Sequence, residues 1–525
     1  MSQKPIESDV LIIGSGIAGC CCALSLADKG QKVTLLSKMD DGTESNTKYA
    51  QGGIVSGGED DSPEQLIADI MAAADGLGHE EAVRILANEG PKMVSDFLVD
   101  SVGVQFTKDD DGNILFTSEA AHSARRVWYV MDHTGKEIIN KLINKVKQHP
   151  NITLLTNHMA IDLITTGHHS ENPLDIYLNN QCLGAYVYNS LSDTVTLFFA
   201  RKTVLATGGV GNLFLHTSNP GSATGDGLAM AYRAGTKIIN AEYIQFHPTT
   251  LFHRDANRFL ITESLRGEGA RLKNLKGDFF MENYDPQKDL APRDIISRAI
   301  YEETHQTEKG YVLLDLSPLV KNNIDIPTRY PTIFTRCQEL GMDIRTEPIP
   351  VVPAAHYFCG GIQVDLWGQS SLQNLYAIGE VSCTGIHGAN RLASVSLLEG
   401  LVWGLRAAEN ISHTASDTVT TLYDRIAGWK SVDSTESVDP ILIYQDWLSI
   451  RSTMWNYAGI VRTKKRLTRA NSDLGYLKHR IESFYRESRL SKALIELRNG
   501  ILSATLIVQD ALRNTRSMGC HYRKD

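Results

Sequence analysis

At 525 residues the chain is longer than one hydrophobic core usually serves, and 42% apolar with 22% charged residues is an ordinary globular composition. A formal charge of −9 gives no general attraction to nucleic acid or anionic lipid, and no apolar run reaches the ~18–20 residues of a membrane span. Eight cysteines, three adjacent at 20–22 and none in a CxxC pair, fit reduced thiols, so the expectation is a soluble cytoplasmic protein without a signal peptide or a metal site.

Val10–Ile13 reads as a buried strand, GSGIAG (14–19) follows at once, a helix-like stretch ends at Gly30, and KVTLLSK (32–38) reads as a second strand. In this βαβ setting Gly14 permits the tight turn, Gly16 lets a pyrophosphate approach the backbone, and Gly19 allows close helix–strand packing. Ser15, Ile17 and Ala18 complete the cradle, with the phosphates at the positive end of the helix. The second strand runs into Ser37 and Lys38 where an NAD site carries an acid for the ribose.

Helical periodicity dominates 62–105. SEAAHSARRV (118–127) then places Glu119 among a histidine and two arginines just before a helix-like stretch; alone, it reads as a surface acid balancing bases. Segment 174–208 alternates like paired strands and ends in ATGG (206–209), with Ala206, Thr207 and Gly208 after a strand. Segment 240–353 carries more proline and charge with mixed helix and strand signals. LQNLYAIGE (372–380) returns to the earlier style, as expected of a domain interrupted by an insertion. ATGG and AIGE together point to FAD, whose length needs contacts from separated segments, with Glu380 accepting from ribityl or ribose hydroxyls. KSVDSTESVD (430–439) reads as a linker, 440–515 as amphipathic helices, and RTKKRLTR (462–469) as a solvated helix face.

The motifs YAQGG (49–53), TGDG (224–227), QFHPT (245–249), TESLRGEGA (262–270), APRDIISRAI (291–300), PAAHYFCGG (353–361) and GEVSCTGIHGANRLASVSLLEG (379–400) occur in this order across most of 1–405. On them the chain resembles the flavoprotein family of succinate dehydrogenase, fumarate reductase and L-aspartate oxidase. The resemblance implies an α/β fold: a Rossmann-like FAD-binding domain (1–239 and 354–425), an inserted α+β capping domain (240–353) and a C-terminal helical bundle domain (426–525). It also implies that Ser37, Lys38, Asn46, Thr47, Lys48, Tyr49, Ala50, Gln51, Gly52, Gly53, Asp226, Ser396 and Leu397 help to hold FAD.

Members act on a four-carbon dicarboxylate at its central carbons, which requires donors or cations at both ends. The resemblance puts His247 and Thr262 at one end and His356 and Arg391 at the other, with Gln245 also among the substrate-binding residues. It makes Arg293 the proton donor and acceptor, with Glu263 and Arg266 relaying. An arginine rarely releases its proton, so that role demands a closed, electropositive site. Arg293 follows Pro292 at a predicted helix start, where the dipole disfavours a cation; a purely structural arginine could lean on Asp294 instead.

Two stretches discriminate within the family. The dehydrogenases and membrane-bound reductases link FAD to a histidine five positions before the glutamine of AQGG; Asn46 stands there, which implies non-covalent FAD. SEAAHSARRV resembles the segment of the aspartate-oxidising members, where Glu119 would face the substrate ammonium and disfavour succinate. The YAGIVRTKKRL (457–467) and RSMGCHY (516–522) stretches resemble the same branch, whereas Val395 replaces an asparagine usual there. The implied reaction is oxidation of L-aspartate to iminosuccinate, with oxygen (giving peroxide) or fumarate (giving succinate) as acceptor and quinolinate synthase as the metabolic partner toward NAD. A soluble fumarate reductase, or the flavoprotein subunit of a succinate:quinone complex, is the alternative.

Overall fold

The computed structural model describes residues 4–117, 119–256, 259–305, 309–414, 420–432 and 439–525. The strand Ile6–Ile13 is exposed at its start and buried over its last four residues, where DVLII runs into the centre of a seven-stranded sheet. It pairs in parallel with Val33–Leu36 on one side and Thr194–Leu205 on the other. Ile152–Leu155 extends the first edge, Cys182–Asn189 and His158–Thr165 the second, and Leu375–Ala377 pairs with the far end of Thr194–Leu205. The second strand is therefore shorter than the predicted 32–38, because Ser37 and Lys38 turn away towards the cavity.

Helix Ile17–Asp28 is buried nearly all round, which explains a run of small residues, CCCALSLA, where an amphipathic stripe would otherwise be expected. Helix Val395–His413 crosses it closely: a Cβ at Gly400 would lie 2.9 Å from Ile17 Cγ2, and one at Gly404 2.8 Å from the Ala18 carbonyl. All eight cysteines are free and buried.

The strands Ile244–Leu251 and Ile349–Phe358 pair antiparallel and lead into a region with its own core, built from residues between Leu251 and Val351. The boundary expected at 353/354 thus falls inside a continuous strand. At the C-terminal end, helices Pro440–Ala458, Lys464–Glu487 and Lys492–Arg513 share a core with Leu213, Phe214, Leu228 and Phe246. Of the predicted linker, 433–438 lie outside the described residues.

The basic run 462–469 is only partly the solvated face expected of it. Lys464, Lys465 and Arg469 are exposed, but Arg462 is fully buried, donating to the Glu242 carbonyl at 2.7 Å and lying 2.7 Å from His521 Nδ1. The tail that supplies His521 also reaches inward: Cys520 N donates to the Ala389 carbonyl at 2.9 Å, and its Sγ lies 3.2 Å from Asn390 Oδ1. Arg298, on helix Arg293–His305, donates to the Gly519 carbonyl at 3.1 Å. No helix among the described residues is long and apolar enough to cross a membrane.

Candidate active site

A cavity runs from the glycine-rich turn to the base of the inserted region. Its first end is shaped by backbone. Gly14 has φ +116°, and a Cβ there would sit 2.2 Å from the Ala206 carbonyl oxygen, so only glycine fits where the chain leaves strand Ile6–Ile13 beside the end of strand Thr194–Leu205. A Cβ at Gly19 would strike the Gly14 carbonyl at 2.0 Å, the close packing the motif predicts, whereas Gly16 opens onto the cavity. Ser15 Oγ donates to the Gly42 carbonyl, and Thr47 Oγ1 accepts from Ile17 N, so both side chains brace the turn.

Lys38 reaches across the same end to Asp226 at 2.6 Å and Glu496 at 2.8 Å, and Asn499 donates to the other Asp226 oxygen. Burial works against the ammonium, but the two carboxylates hold the Lys38 pKa above its ordinary value. Further along, Glu380 accepts from Asn46 Nδ2 at 2.6 Å and from Phe358 N at 3.0 Å, while burial pushes its carboxyl up to about 7. Buried Gln51 Oε1 and Thr207 Oγ1 have no partner among the described residues and line the cavity. Orphaned acceptors, a glycine cradle and an acid set for hydroxyls fit an extended dinucleotide. Ala50, Gly52, Gly53, Ala18, Gly208, Ser396, Leu397 and Tyr49 line the same wall.

The other end is furnished for anions. Arg293, the first residue of its helix, is buried and donates through Nε to Glu263 Oε2 at 2.5 Å and through Nη1 to Gln245 Oε1 at 3.0 Å. Asp294 does not balance it: that carboxylate pairs with Arg298 at 2.7 Å and accepts from Asn390. Burial opposes charge on Glu263, but Arg293 and then Arg266 hold its carboxyl below the usual range. Arg266 lies fully buried behind it, 3.6 Å from Glu263 Oε1, with burial pulling the guanidinium pKa down.

Arg391 donates to Ser396 Oγ at 2.9 Å and to Gln245 Oε1 at 3.1 Å; its buried Nε has no partner among the described residues. Its guanidinium carbon lies 4.4 Å from the Tyr357 ring centroid. The His247 and His356 rings are 5.0 Å apart, and Ser218 Oγ lies 2.7 Å from His356 Nδ1. Burial and the surrounding arginines hold both imidazoles well below their ordinary pKa, so they are neutral donors or acceptors. Thr262 also lines the cavity.

Glu119 is not a surface acid. It is 4% exposed, lies in an irregular loop where a following helix was expected, and lines the cavity at this anion-binding end. Ser394 Oγ donates to its Oε2 at 2.6 Å, and a Cβ at Gly52 would meet its Oε1 at 2.1 Å. Burial and then the neighbouring Glu263 push its carboxyl above the ordinary range.

Two expectations need correction. Lys48 does not line the cavity: its ammonium turns out to Glu44 at 2.8 Å, as a lysine on a short, partly exposed turn can. Gln245 does not face it either. Fully buried, it accepts from both Arg293 and Arg391 and donates to Asn390 and the Arg391 carbonyl, fixing the spacing of the two cations.

Sequence reading missed the support beneath Arg391: Glu399 accepts from Tyr357 Oη at 2.9 Å and from Thr384 at 2.6 Å, and lies 2.8 Å from His387 Nε2. The signal was a single acid inside the apolar run SLLEGLVWG. It also missed His158–Ala160 on the cavity wall, which carry no motif. Val395 is buried in the main core at the start of its helix. Among the described residues no cluster of His, Cys, Asp and Glu is placed to hold a metal ion.

Residues 9–397 match the FAD binding domain family, and 448–525 match the fumarate reductase flavoprotein C-terminal family. The L-aspartate oxidase of Acinetobacter baylyi is 44% identical over 98% of this chain and 93% of its own; that of Yersinia pestis is 44% identical over 99% and 96%. Among solved structures, a quinol-fumarate reductase with menaquinol molecules superposes with a TM-score of 0.87 at 27% identity, covering 100% of this chain and 93% of its own. Mycobacterium smegmatis Sdh1 gives 0.79 at 28% identity, over 99% and 89%. Motifs, fold and full-length likeness agree: the chain belongs to the L-aspartate oxidases, within the FAD-dependent succinate dehydrogenase and fumarate reductase flavoprotein family.

Proposed function

We propose that the chain oxidises L-aspartate to iminosuccinate, returning the electrons to fumarate or oxygen. The observation that carries this reading is Glu119, a buried carboxylate on the wall of a cavity otherwise furnished for anions. A dicarboxylate without an amine gains nothing from it; aspartate brings an ammonium that offsets its burial and its repulsion by Glu263. FAD, when bound, accepts and donates hydride. His247 and Thr262 hold one substrate carboxylate, His356 and Arg391 the other, and Glu119 turns the Cα–N bond so that the Cα–H is directed for transfer. In the fumarate direction Arg293 supplies the proton, replenished through Glu263 and Arg266, and the buried, water-poor setting is what lets an arginine do so.

Asn46 leaves FAD non-covalently bound, engaging Glu380 where the covalent relatives carry a histidine. Iminosuccinate hydrolyses readily, which favours a nearby quinolinate synthase as its consumer, in the cytoplasm. The alternative of a soluble fumarate reductase would use the same anion-binding end, and the buried carboxylate of Glu119 speaks against it. Anaerobic mixing of the yellow protein with L-aspartate, and separately with succinate, tests the choice. Bleaching by aspartate alone, reversed by fumarate or air, is expected. Bleaching by succinate alone would make the chain a dehydrogenase relative.

A further inference from the structure

We infer that His122 is a positioning residue for amine recognition: it holds the Ala393–Ser394 peptide in the orientation that delivers the Ser394 hydroxyl to Glu119. This rests on the reading of Glu119 above and deepens it. Ser394 has φ 55°, in the left-handed region that residues other than glycine seldom adopt, and from there its Oγ reaches Glu119 Oε2 at 2.6 Å. Such a turn persists only where its surroundings over-determine it. The peptides on both sides are gripped. Val55 N donates to the Ser394 carbonyl at 3.1 Å, and His122 Nε2 lies 3.0 Å from the Ala393 carbonyl.

The direction of that second contact follows from Arg126. This guanidinium is fully buried, donating through Nε to both Asp61 oxygens at 3.0 Å and through Nη1 to Asp69 Oδ2 at 2.5 Å. Nη1 also lies 3.3 Å from His122 Nδ1. A guanidinium has donors and no acceptor, so Nδ1 accepts, the ring proton resides on Nε2, and Nε2 donates to Ala393. Burial, and the Arg126 charge, push the imidazole down to about 4 even though the Ala393 carbonyl favours the proton, so this neutral tautomer persists at neutral pH. His122 N in turn donates to the Glu119 carbonyl at 3.2 Å. The imidazole therefore couples a buried arginine, paired with two carboxylates, to the turn that presents the Ser394 hydroxyl to Glu119, and it does not line the cavity.

The test compares kcat/KM for aspartate oxidation and for fumarate reduction in the FAD-loaded full chain, for H122A, H122Q, E119Q and the H122A/E119Q double variant. H122A is expected to lose on the order of tenfold against aspartate, the value of one well-made hydrogen bond, and far less against fumarate. H122Q, whose amide restores a donor towards Ala393, recovers most of that loss. In the E119Q background H122A adds nothing, because the carboxylate it served is gone. If E119Q is amine-selective but H122A lowers both activities alike, or costs as much again on top of E119Q, the inference about His122 falls alone. If E119Q lowers both activities alike, the reading of Glu119 falls and this inference with it.

Discussion

Glu119→Gln separates charge from shape. Glutamine keeps an oxygen for Ser394 Oγ to donate to, but it offers the substrate ammonium no anion. Leaving one partner of a buried ion pair uncompensated costs about 3–5 kcal/mol. At about 1.4 kcal/mol per decade this is roughly two to three and a half orders of magnitude in kcat/KM for aspartate. Fumarate carries no ammonium and is itself a dianion, so removing a like charge from its pocket is expected to leave its KM unchanged or lower. The same substitution acts on stability with the opposite sign. The Glu119 carboxyl is raised in the folded state, so its favourable contribution is complete below the unfolded carboxyl pKa and is lost as pH rises through the folded value. At neutral pH the variant is therefore expected to unfold at higher denaturant concentration than the parent, a difference that disappears in acid. Stopped-flow flavin bleaching by aspartate, fumarate reduction with a reduced dye, and urea melts at about pH 4 and 8, on either side of the unfolded carboxyl pKa, give the three readings. Equal losses against both substrates would refute the ammonium argument.

Arg293→Leu is expected to lower fumarate reduction by at least about a thousandfold, as loss of a general acid would, while FAD remains bound; retained activity measured with the dye would move the proton role elsewhere. Acid precipitation should leave all the flavin in the supernatant, because Asn46 offers no histidyl bond; yellow pellets would contradict this. His247 and His356 are neutral in the free enzyme well below the ordinary histidine pKa near ~6.5. The pH profile of kcat/KM should therefore show no inflection there from either ring, which H247N and H356N profiles would check. Being depressed, these imidazoles contribute stability that is present above ~6.5 and lost as pH falls, so the apoprotein should melt progressively earlier between pH 7 and 5.

The chemistry at both cavity ends was legible because it sits in short motifs whose backbone demands are local: Gly14 must turn, Gly19 must pack, and Arg293 begins the helix that Pro292 announces. What was not legible depends on which way a side chain leaves such a motif. Lys48 and Asn46 are two residues apart on one short turn, yet one pairs outward with Glu44 and the other inward with Glu380. Gln245 lies two residues before His247 on one strand, so alternation gives both the same face. A register irregularity between Gln245 and Phe246, and the arrival of Arg293 from the start of a distant helix and of Arg391 from a distant loop, make it a clamp. Arg462 opens a basic run that looks solvated until the last residues of the chain fold over it.

That returning tail has a bearing on the order in which the enzyme comes into being. Every glycine of the nucleotide cradle is translated early, and the N-terminal portion of a chain commonly begins folding while synthesis continues. Gly519 and Cys520, which close on Arg298 and on the Ala389–Asn390 turn beside Arg391, are made about 500 residues later. Both ends of the cavity are therefore completed late: Glu496 and Asn499 close on Lys38 and Asp226 at one end, and the segment at 519–520 closes beside Arg391 at the other.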